Sequence, residues 1–425
     1  MVKKKTVQRV RGTYDILPTE QKYWRGVDEV ALPYLEKSGF GRIELPIIED
    51  AFLFSRSVGE NTDIIEKEMY VFRDRGDDIL ALRPEGTASV VRAYIENGMH
   101  SLPQPVKLYY QGPMFRYERP QSGRYRQHYQ IGFEVLGEID PIVDAEIICL
   151  TFRICERLGL KNLTIEINSI GCSNCRPKFT AELVDYISQR KELFCDNCLK
   201  RSEKNPLRIL DCKEPSCQKA LENAPSILDF LCKECHKHFT SVLEYLDELS
   251  IPYNLNTKLA RGLDYYTKTV FEIWTSQEGA QSSLGGGGRY DNLVALLGGK
   301  KTPACGCALG LDRLVLEIKK QNIEVAQENP IQVFIAFLGD KAKIKSLKII
   351  NECRKAGIGI IGSLTQKTLK SQLKTADKLA VPITLILGEK EIIDKTVLIR
   401  HMEEGAQEVI EVKNIVKELK KRLPK

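Results

Sequence analysis

Hydrophobic positions along the chain recur with a period of two in some stretches and of three to four in others, and the changes of period mark out its elements. The apolar run 106–110 and the alternation Ile131, Phe133, Val135 predict two half-buried strands, joined as a hairpin across the turn Pro120-Gln121-Ser122-Gly123. Ahead of them a helix is expected from about Thr19, which caps it, with Pro33 bending or ending it. Residues 43–48 read as a strand whose Pro46 belongs at a sheet edge or interface. Tyr70–Arg73 and 79–83 pair around the turn Arg75-Gly76-Asp77-Asp78, 88–95 is helical, and a helix over 145–158 precedes a strand over 163–167. Between about Gly171 and Pro252 the pattern becomes helical and polar, then a strand at 270–274 resumes the alternation. The run Gly285-Gly286-Gly287-Gly288 admits positive φ and close approach of a ligand or another chain, and fits a flexible turn or a binding loop. Leu311, Leu314, Val315 and Ile318 keep helical spacing, with Arg313 off the stripe. A linker at about 320–330 introduces a last block: strand 331–337, helix Asp340–Lys355 with Ile344, Leu347 and Ile350 on one face and Gly357 at its end, the apolar stretch 358–361, helix 368–379, strands Ile383–Leu387 and 397–400, and a final helix using Ile415, Leu419 and Leu423. That block predicts a small α/β domain with a mixed sheet.

Composition narrows the class without naming a function. With 425 residues, 43% hydrophobic and 28% charged, the chain suits two or three globular domains. No apolar run reaches the length of a bilayer span, and Met1-Val2-Lys3-Lys4-Lys5 lacks the apolar core of a signal peptide, so a cytoplasmic protein is expected. A net charge of +6 permits a nucleic-acid partner without arguing for one. Thirteen cysteines without an export signal point to metal or buried thiols. Eight of them fall as Cys172-x-x-Cys175, Cys195-x-x-Cys198, Cys212-x4-Cys217 and Cys232-x-x-Cys235, enough for two tetrahedral Zn²⁺ sites. One pairing joins Cys195/Cys198 with Cys212/Cys217 and Cys172/Cys175 with Cys232/Cys235; reduced thiols, some with a redox role, are the alternative.

Candidate chemistry concentrates in three places. Arg116, Arg119, Arg124 and Arg126 lie within the hairpin beside Glu118 and Glu134; guanidinium forks at adjacent strand ends suit a polyphosphate, while a solvated, charge-paired hairpin is the plainer reading. Glu85 and Thr87, at a strand-to-helix junction, can accept hydrogen bonds from an ammonium group, or Thr87 simply caps the helix. Arg261-Gly262-Leu263-Asp264-Tyr265-Tyr266-Thr267 enters the 270–274 strand and is also readable as an ordinary strand entry. The glycine run lacks the Gly-Lys-Ser/Thr of a P-loop. None of the five histidines sits in an acid–base constellation.

The wording of residues 115–137, F-R-Y-E-R-P-Q-S-G-R-Y-R-Q-H-Y-Q-I-G-F-E-V-L-G, resembles motif 2 of the class II aminoacyl-tRNA synthetases, and is most similar to the histidyl-tRNA synthetases. R-P-E-G-T at 83–87 resembles that family's amino-acid segment, R-G-L-D-Y-Y-T at 261–267 its signature, and 306–314 motif 3, while the region through 43–48 resembles motif 1 weakly. The resemblance implies an α+β protein: a class II antiparallel-sheet catalytic domain over 1–170 and 253–325, a helical cysteine-rich insertion at 171–252, and a C-terminal α/β anticodon-binding domain with a mixed sheet at 330–425. It implies that L-histidine and ATP, with Mg²⁺, give histidyl-adenylate, and that histidine is then passed to histidine tRNA, met at its acceptor stem and anticodon by a homodimer. On this resemblance Arg116 and Arg261 hold the carboxylate and α-phosphate as the catalytic pair, and Arg116, Glu118, Arg124, His128 and Arg313 bind ATP. Glu85, Thr87 and Gln130 take the ammonium group, Glu134 and Tyr266 read the imidazole with Tyr265 and Tyr290 nearby, and Arg119 and Gln121 meet the tRNA acceptor end. His128 departs from the phenylalanine usual in the family's motif 2, offering adenine a smaller stacking face. The family's chemistry needs no zinc, so any zinc in the insertion is expected to be structural, in closed four-thiolate sites. Two rivals are a histidine-sensing regulatory partner of ATP phosphoribosyltransferase, which should lack the C-terminal domain and show an eroded signature, and a zinc-containing RNA-binding or regulatory module on a dead synthetase fold, against which the retained Arg116, Arg124, Arg261 and Arg313 argue.

Overall fold

The computed structural model describes residues 6–423 apart from 60, 61, 63, 122, 276–282, 326–330 and 364–367, without the side chains of 203 and 204. The expectations for residues 1–5, for Ser122 in the hairpin turn and for the end of the linker lie outside the described residues. The chain divides into two compact units, Met1–Val325 and Ala326–Lys425.

In the first unit, helix α1 (Gln21–Lys37) buries Trp24, Val27, Ala31 and Leu35. This stripe keeps the helix intact through Pro33, which neither ends it nor marks its boundary, and Thr19 makes no cap: Glu20 holds that position without a side-chain bond. After the edge strand β1 (Gly41–Arg42), residues 43–47 run outside any strand until β2 (Ile48–Asp50). Of the expected strand at 43–48 only Ile48 is in a strand, and Arg83 takes carbonyls a partner would use, donating from Nη1 to Leu45 O at 2.9 Å and Pro46 O at 3.4 Å. Helix α2 (Ala51–Val58), strands β3 (Tyr70–Arg73) and β4 (Ile79–Leu82) and helix α3 (Thr87–Glu96) follow, with the small sheet ordered β2-β4-β3.

The hairpin is longer than its apolar run: β5 (Val106–Phe115) pairs with β6 (Gln127–Leu136) in register from Val106↔Leu136 to Phe115↔Gln127. Then come α4 (Ile142–Arg157), β7 (Leu163–Ser169), the insertion helices α5 (Arg176–Ser188), α6 (Asp196–Lys204), α7 (Pro215–Ala220) and α8 (Lys233–Glu248), and strands β8 (Tyr253–Leu255), β9 (Thr267–Thr275) and β10 (Ser283–Arg289). The short α9 (Leu293–Leu296), β11 (Ala304–Gly310) and α10 (Leu311–Lys320) close the unit. The large sheet is ordered β1-β5-β6-β11-β10-β9-β7-β8, antiparallel except at its two edge pairs. Its core joins α1, α4 and α10 to the sheet through residues such as Leu35, Ile148, Phe133, Phe271 and Leu314. The glycine run is neither turn nor loop but the centre of β10: a Cβ on Gly287 would lie 1.9 Å from Gly306 O of β11. Leu311, Leu314, Val315 and Ile318 of α10 are buried as their spacing predicts.

The second unit has the mixed sheet expected, β13-β12-β14-β15-β16, built from β12 (Val333–Phe337), β13 (Ile360–Gly362), β14 (Ile383–Leu387), β15 (Thr396–His401) and β16 (Gln407–Glu411), with helices α11 (Asp340–Lys355), α12 (Leu369–Lys378), α13 (Glu389–Ile393) and α14 (Ile415–Arg422). Helix α11 buries Ala342, Ser346, Ile349, Ile350 and Cys353, so Ile344 and Leu347 are exposed rather than inward: the sheet meets a face rotated from the one chosen by apolarity alone.

Candidate active site and cysteine centres

At the β4–α3 junction Glu85 accepts from the backbone N–H groups of Thr87 at 2.7 Å and Ala88 at 2.8 Å. Glu85, rather than Thr87, thus satisfies the orphan donors at the start of α3. The Thr87 hydroxyl points elsewhere and donates to Glu134 Oε1 at 2.7 Å, while Tyr290 OH donates to Glu134 Oε2. Glu134 is fully buried, and burial raises its pKa to about 8 against those two hydrogen bonds. Its carboxylate lies where a Cβ on Gly306 would come within 1.5 Å of Oε2, so that strand position must be glycine. Tyr265 and Tyr266 close the same side, their ring centroids 4.7 Å apart, with Tyr265 OH 3.4 Å from Glu85 Oε2.

The arginines approach from the other side of one cavity of about 330 Å³. Arg116 is held by its Nε donating to Pro84 O at 2.9 Å, and Arg313 of α10 by Nη1 donating to Ser283 O at 2.7 Å. Arg261 pairs with Glu272 and lies over the Tyr266 ring at 5.8 Å. Burial opposes the Arg261 charge, but Glu272 more than offsets it and its pKa rises. For Arg313 burial and the neighbouring Arg124 both act against the charge and lower the pKa, a repulsion that an anion between them relieves. His128 lines this wall, where burial, Arg116 and Arg313 push its pKa down to about 3 and keep its imidazole neutral. Four buried atoms of the cavity lining, Tyr110 OH, Gln130 Oε1, Arg261 Nε and Trp274 Nε1, have no protein hydrogen-bond partner among the described residues. Buried polar atoms of this kind mark where a polar ligand fits.

The cavity therefore gathers Glu85, Thr87, Arg116, Glu118, Arg124, His128, Gln130, Arg261, Tyr265, Tyr266 and Arg313. Glu134 and Tyr290 stand buried behind the wall, and Arg119 and Gln121 lie exposed on the hairpin loop outside it. Sequence reasoning missed Tyr110, Glu272 and Trp274, which sit inside strand patterns, and Asp211 and Lys213 of the insertion, which also line the cavity. It also missed the latch formed by Asp312, which accepts from Tyr14 OH and from Tyr129 N at 2.7 Å and ties α10 and the N-terminal segment to β6.

The eight insertion cysteines form two groups, Cys172/Cys175/Cys232/Cys235 and Cys195/Cys198/Cys212/Cys217, the sulfurs of each within 4.8 Å of one another. This is the pairing weighed from spacing. Sulfur separations of 3.6 Å for Cys172–Cys175, 4.0 Å for Cys172–Cys232 and 4.0 Å for Cys195–Cys212 are too long for disulfides. They suit a tetrahedron around Zn²⁺, whose Zn–S bonds of about 2.3 Å put sulfurs about 3.8 Å apart. Backbone amides support the thiolates, Cys232 N donating to Cys175 Sγ at 3.1 Å and Cys195 N to Cys217 Sγ at 3.2 Å.

The family model for histidyl-tRNA synthetase matches residues 12–314, and one for an anticodon binding domain matches 332–422. The chain belongs to the histidyl-tRNA synthetases. It is 47% identical to the histidine–tRNA ligase of Dehalococcoides mccartyi over 416 residues, 98% of this chain and 100% of that one. The histidine–tRNA ligase of Desulforamulus reducens is 48% identical over 414 residues, 97% and 99% of the two chains. The apo crystal structure of S. aureus histidyl-tRNA synthetase superposes with a TM-score of 0.82 at 37% identity, covering 98% of this chain and all of that one. Among histidyl-tRNA synthetases this chain is thus matched along both of its units, and the fold expectation of an α+β catalytic unit with a mixed-sheet C-terminal domain holds.

Proposed function

We infer that this histidine–tRNA ligase joins its two anionic reactants by fixed cations rather than by a titrating base. The observation that carries the reading is the convergence of Arg116, Arg124, Arg261 and Arg313 on one cavity whose other wall holds Glu85 and Thr87, with Glu134 behind. The histidine carboxylate attacks the α-phosphorus of ATP, the P–O bond to pyrophosphate breaks, and Arg116 and Arg261 offset the charge that develops between them. Arg124 and Arg313 grip the outer phosphates and adenine beside His128. Mg²⁺ accompanying ATP would neutralise phosphate charge, with Glu118 and Glu272 the wall carboxylates to hold it. Glu85, Thr87 and Gln130 receive the ammonium group. Glu134, with Tyr266, Tyr265 and Tyr290, reads the imidazole, and a side chain that cannot pair leaves these groups buried and unsatisfied. A terminal ribose hydroxyl of histidine tRNA then attacks the acyl carbon and AMP departs, with Arg119 and Gln121 on the acceptor end and the second unit on the anticodon.

We assign 171–252 to an insertion carrying two structural, closed four-thiolate Zn²⁺ sites, a reading supported by the sulfur separations and amide donors. We also propose a homodimer working in the cytoplasm; among the described residues no helix is long and apolar enough to cross a membrane. Pyrophosphate exchange measured with each amino acid tests the activity: exchange with histidine alone supports it, and exchange with none sinks it. Arg261→Gln should slow exchange by roughly 10²–10³-fold, and an unchanged rate would remove the central role given to that charge.

A further inference from the structure

Arg176 is the first residue of α5 and the neighbour in sequence of Cys175. Its Nε donates to Ile170 O at 3.1 Å, and its Nη2 donates to Tyr266 O. One guanidinium therefore ties the exit of β7 to the backbone of a cavity tyrosine. The two segments it bridges are also paired directly, Ile170 N donating to Lys268 O at 2.7 Å and Lys268 N to Gly171 O at 2.8 Å. Gly171 and Lys268 hold positive φ, 63° and 51°, so this crossing is a tight one. On its other side the start of α5 is fixed by the cysteines: Cys175 Sγ accepts from Cys232 N, Cys175 N donates to Cys172 O at 3.1 Å, and a Cβ on Gly171 would lie 2.7 Å from Cys175 Cβ. Between the Cys175 side of the thiolate cluster and the Tyr266 carbonyl there is thus one side-chain bridge, added to the backbone pairing of Ile170 and Gly171 with Lys268.

We propose that Arg176 is a positioning residue for histidine binding and that the Cys172/Cys175/Cys232/Cys235 centre, filled by a divalent cation of the zinc type, sets its place. The coupling rests on the zinc reading of the insertion. When the four thiolates share one ion, the first turn of α5 cannot rotate, Arg176 keeps both carbonyls, and the Tyr266 ring stays under the Arg261 guanidinium. When they do not, the root of α5 loosens and Tyr266 loses the guanidinium bond to its carbonyl, keeping only the Lys268 pairing two residues on. The outer-phosphate and adenine side of the cavity, with Arg124, His128 and Arg313, sits on the β5–β6 hairpin and α10 and does not share this support.

The test is a double-mutant cycle on the full chain, with zinc content and exchange kinetics read together. Arg176→Gln should keep two equivalents of zinc, raise the KM for histidine by roughly tenfold, and leave the KM for ATP within about twofold. Arg176→Lys, with one donor centre for two carbonyls, should fall between. Cys235→Ser should lose one equivalent of zinc and raise the histidine KM to a like degree; should it prove insoluble, the half-buried Cys172 takes its place as Cys172→Ser. The double variant should show no further rise, because both changes cut the same link. A wild-type histidine KM in Arg176→Gln, or additive effects in a zinc-loaded protein, overturns the inference while the zinc reading stands. Purified wild-type protein without zinc defeats the zinc reading and the coupling with it.

Discussion

At Glu134 full burial and two hydrogen bonds act in opposite directions, and burial prevails, carrying the carboxyl to about 8. Because the folded value lies above the ordinary 4.5, folding gains from the protonated form below that ordinary value, and the gain is lost as pH rises through about 8. Glu134→Gln abolishes the titration, so its melting temperature relative to the parent should climb between about pH 5 and 8.5; a flat difference across that range would show the carboxyl is not shifted. The same variant should raise the histidine KM by at least about tenfold, since an amide presents an N–H where one of the two carboxyl oxygens accepts from Thr87 or Tyr290. His128 moves the other way. With its folded value near 3 and an ordinary value of 6.5, its neutral form supports the fold above 6.5, and that support drains away as pH falls toward 3. Throughout the working range the ring is therefore an uncharged plate. His128→Phe should lower the KM for ATP by about two- to fivefold through greater stacking area without changing its pH profile between about 6 and 9. An unchanged KM removes His128 as the adenine platform.

The β10 strand shows why some elements were hidden in the sequence. Its glycines have no hydrophobic period, and only the backbones of β9 and β11 on either side explain them: a Cβ on Gly286 would sit 2.4 Å from Phe271 O and 2.8 Å from Arg261 Nη1. The long hairpin and Asp340–Lys355 were legible because their partners or periods are local. Residues 43–47 were misread where the Leu45 carbonyl goes to Arg83, a side chain 38 positions away, and Ile344 and Leu347 because periodicity gives a stripe but not the face the sheet selects. Of the site, the motif residues were legible and the groups behind and above them were not: Asp211 and Lys213 flank a cysteine in a polar stretch that carries no sign of facing a cavity. At the end of β10, Arg289 is fully buried and bonded to Asp144, Glu138 O at 3.0 Å and Asp140 O at 3.1 Å, binding β10 to the start of α4. Arg289→Leu should cost about 3–5 kcal/mol, because it strands Asp144 in the core. Adding Asp144→Leu should recover part of that loss in urea unfolding; no recovery would place the cost in the lost carbonyl bonds instead.

For the molecule as a whole, the small sheet β2-β4-β3 raises the question of what covers it. Ile48 is 49% exposed, Val71 50%, Phe72 38% and Ile79 47%, and Ile47 beside them 42%. Ile48 pairs across to Leu82 and then Tyr70, and Asp50 to Leu80 and then Phe72, so Ile48, Leu82, Tyr70, Leu80 and Phe72 share one sheet face, apolar in the way that marks an interface, while Val71 and Ile79 lie on the other. The position also matters for chemistry: β4 runs directly into Glu85 and Thr87, and Arg83 between them is anchored to Leu45 O and, through Nε, to Pro113 O at 2.9 Å. A second copy seated on this sheet would therefore hold the strand that carries the ammonium-binding end of the site, and losing it would loosen that end before the ATP side. If the proposed homodimer forms through this face, Ile48→Asp with Phe72→Asp should turn a dimer of the 48.2 kDa chain into a monomer in sedimentation, with histidine affinity falling further than ATP affinity. A doubly substituted protein that remains dimeric places the interface elsewhere. A monomer with undiminished exchange would mean that the β4–Glu85 junction keeps its shape unaided, and that the dimer serves the tRNA step rather than activation.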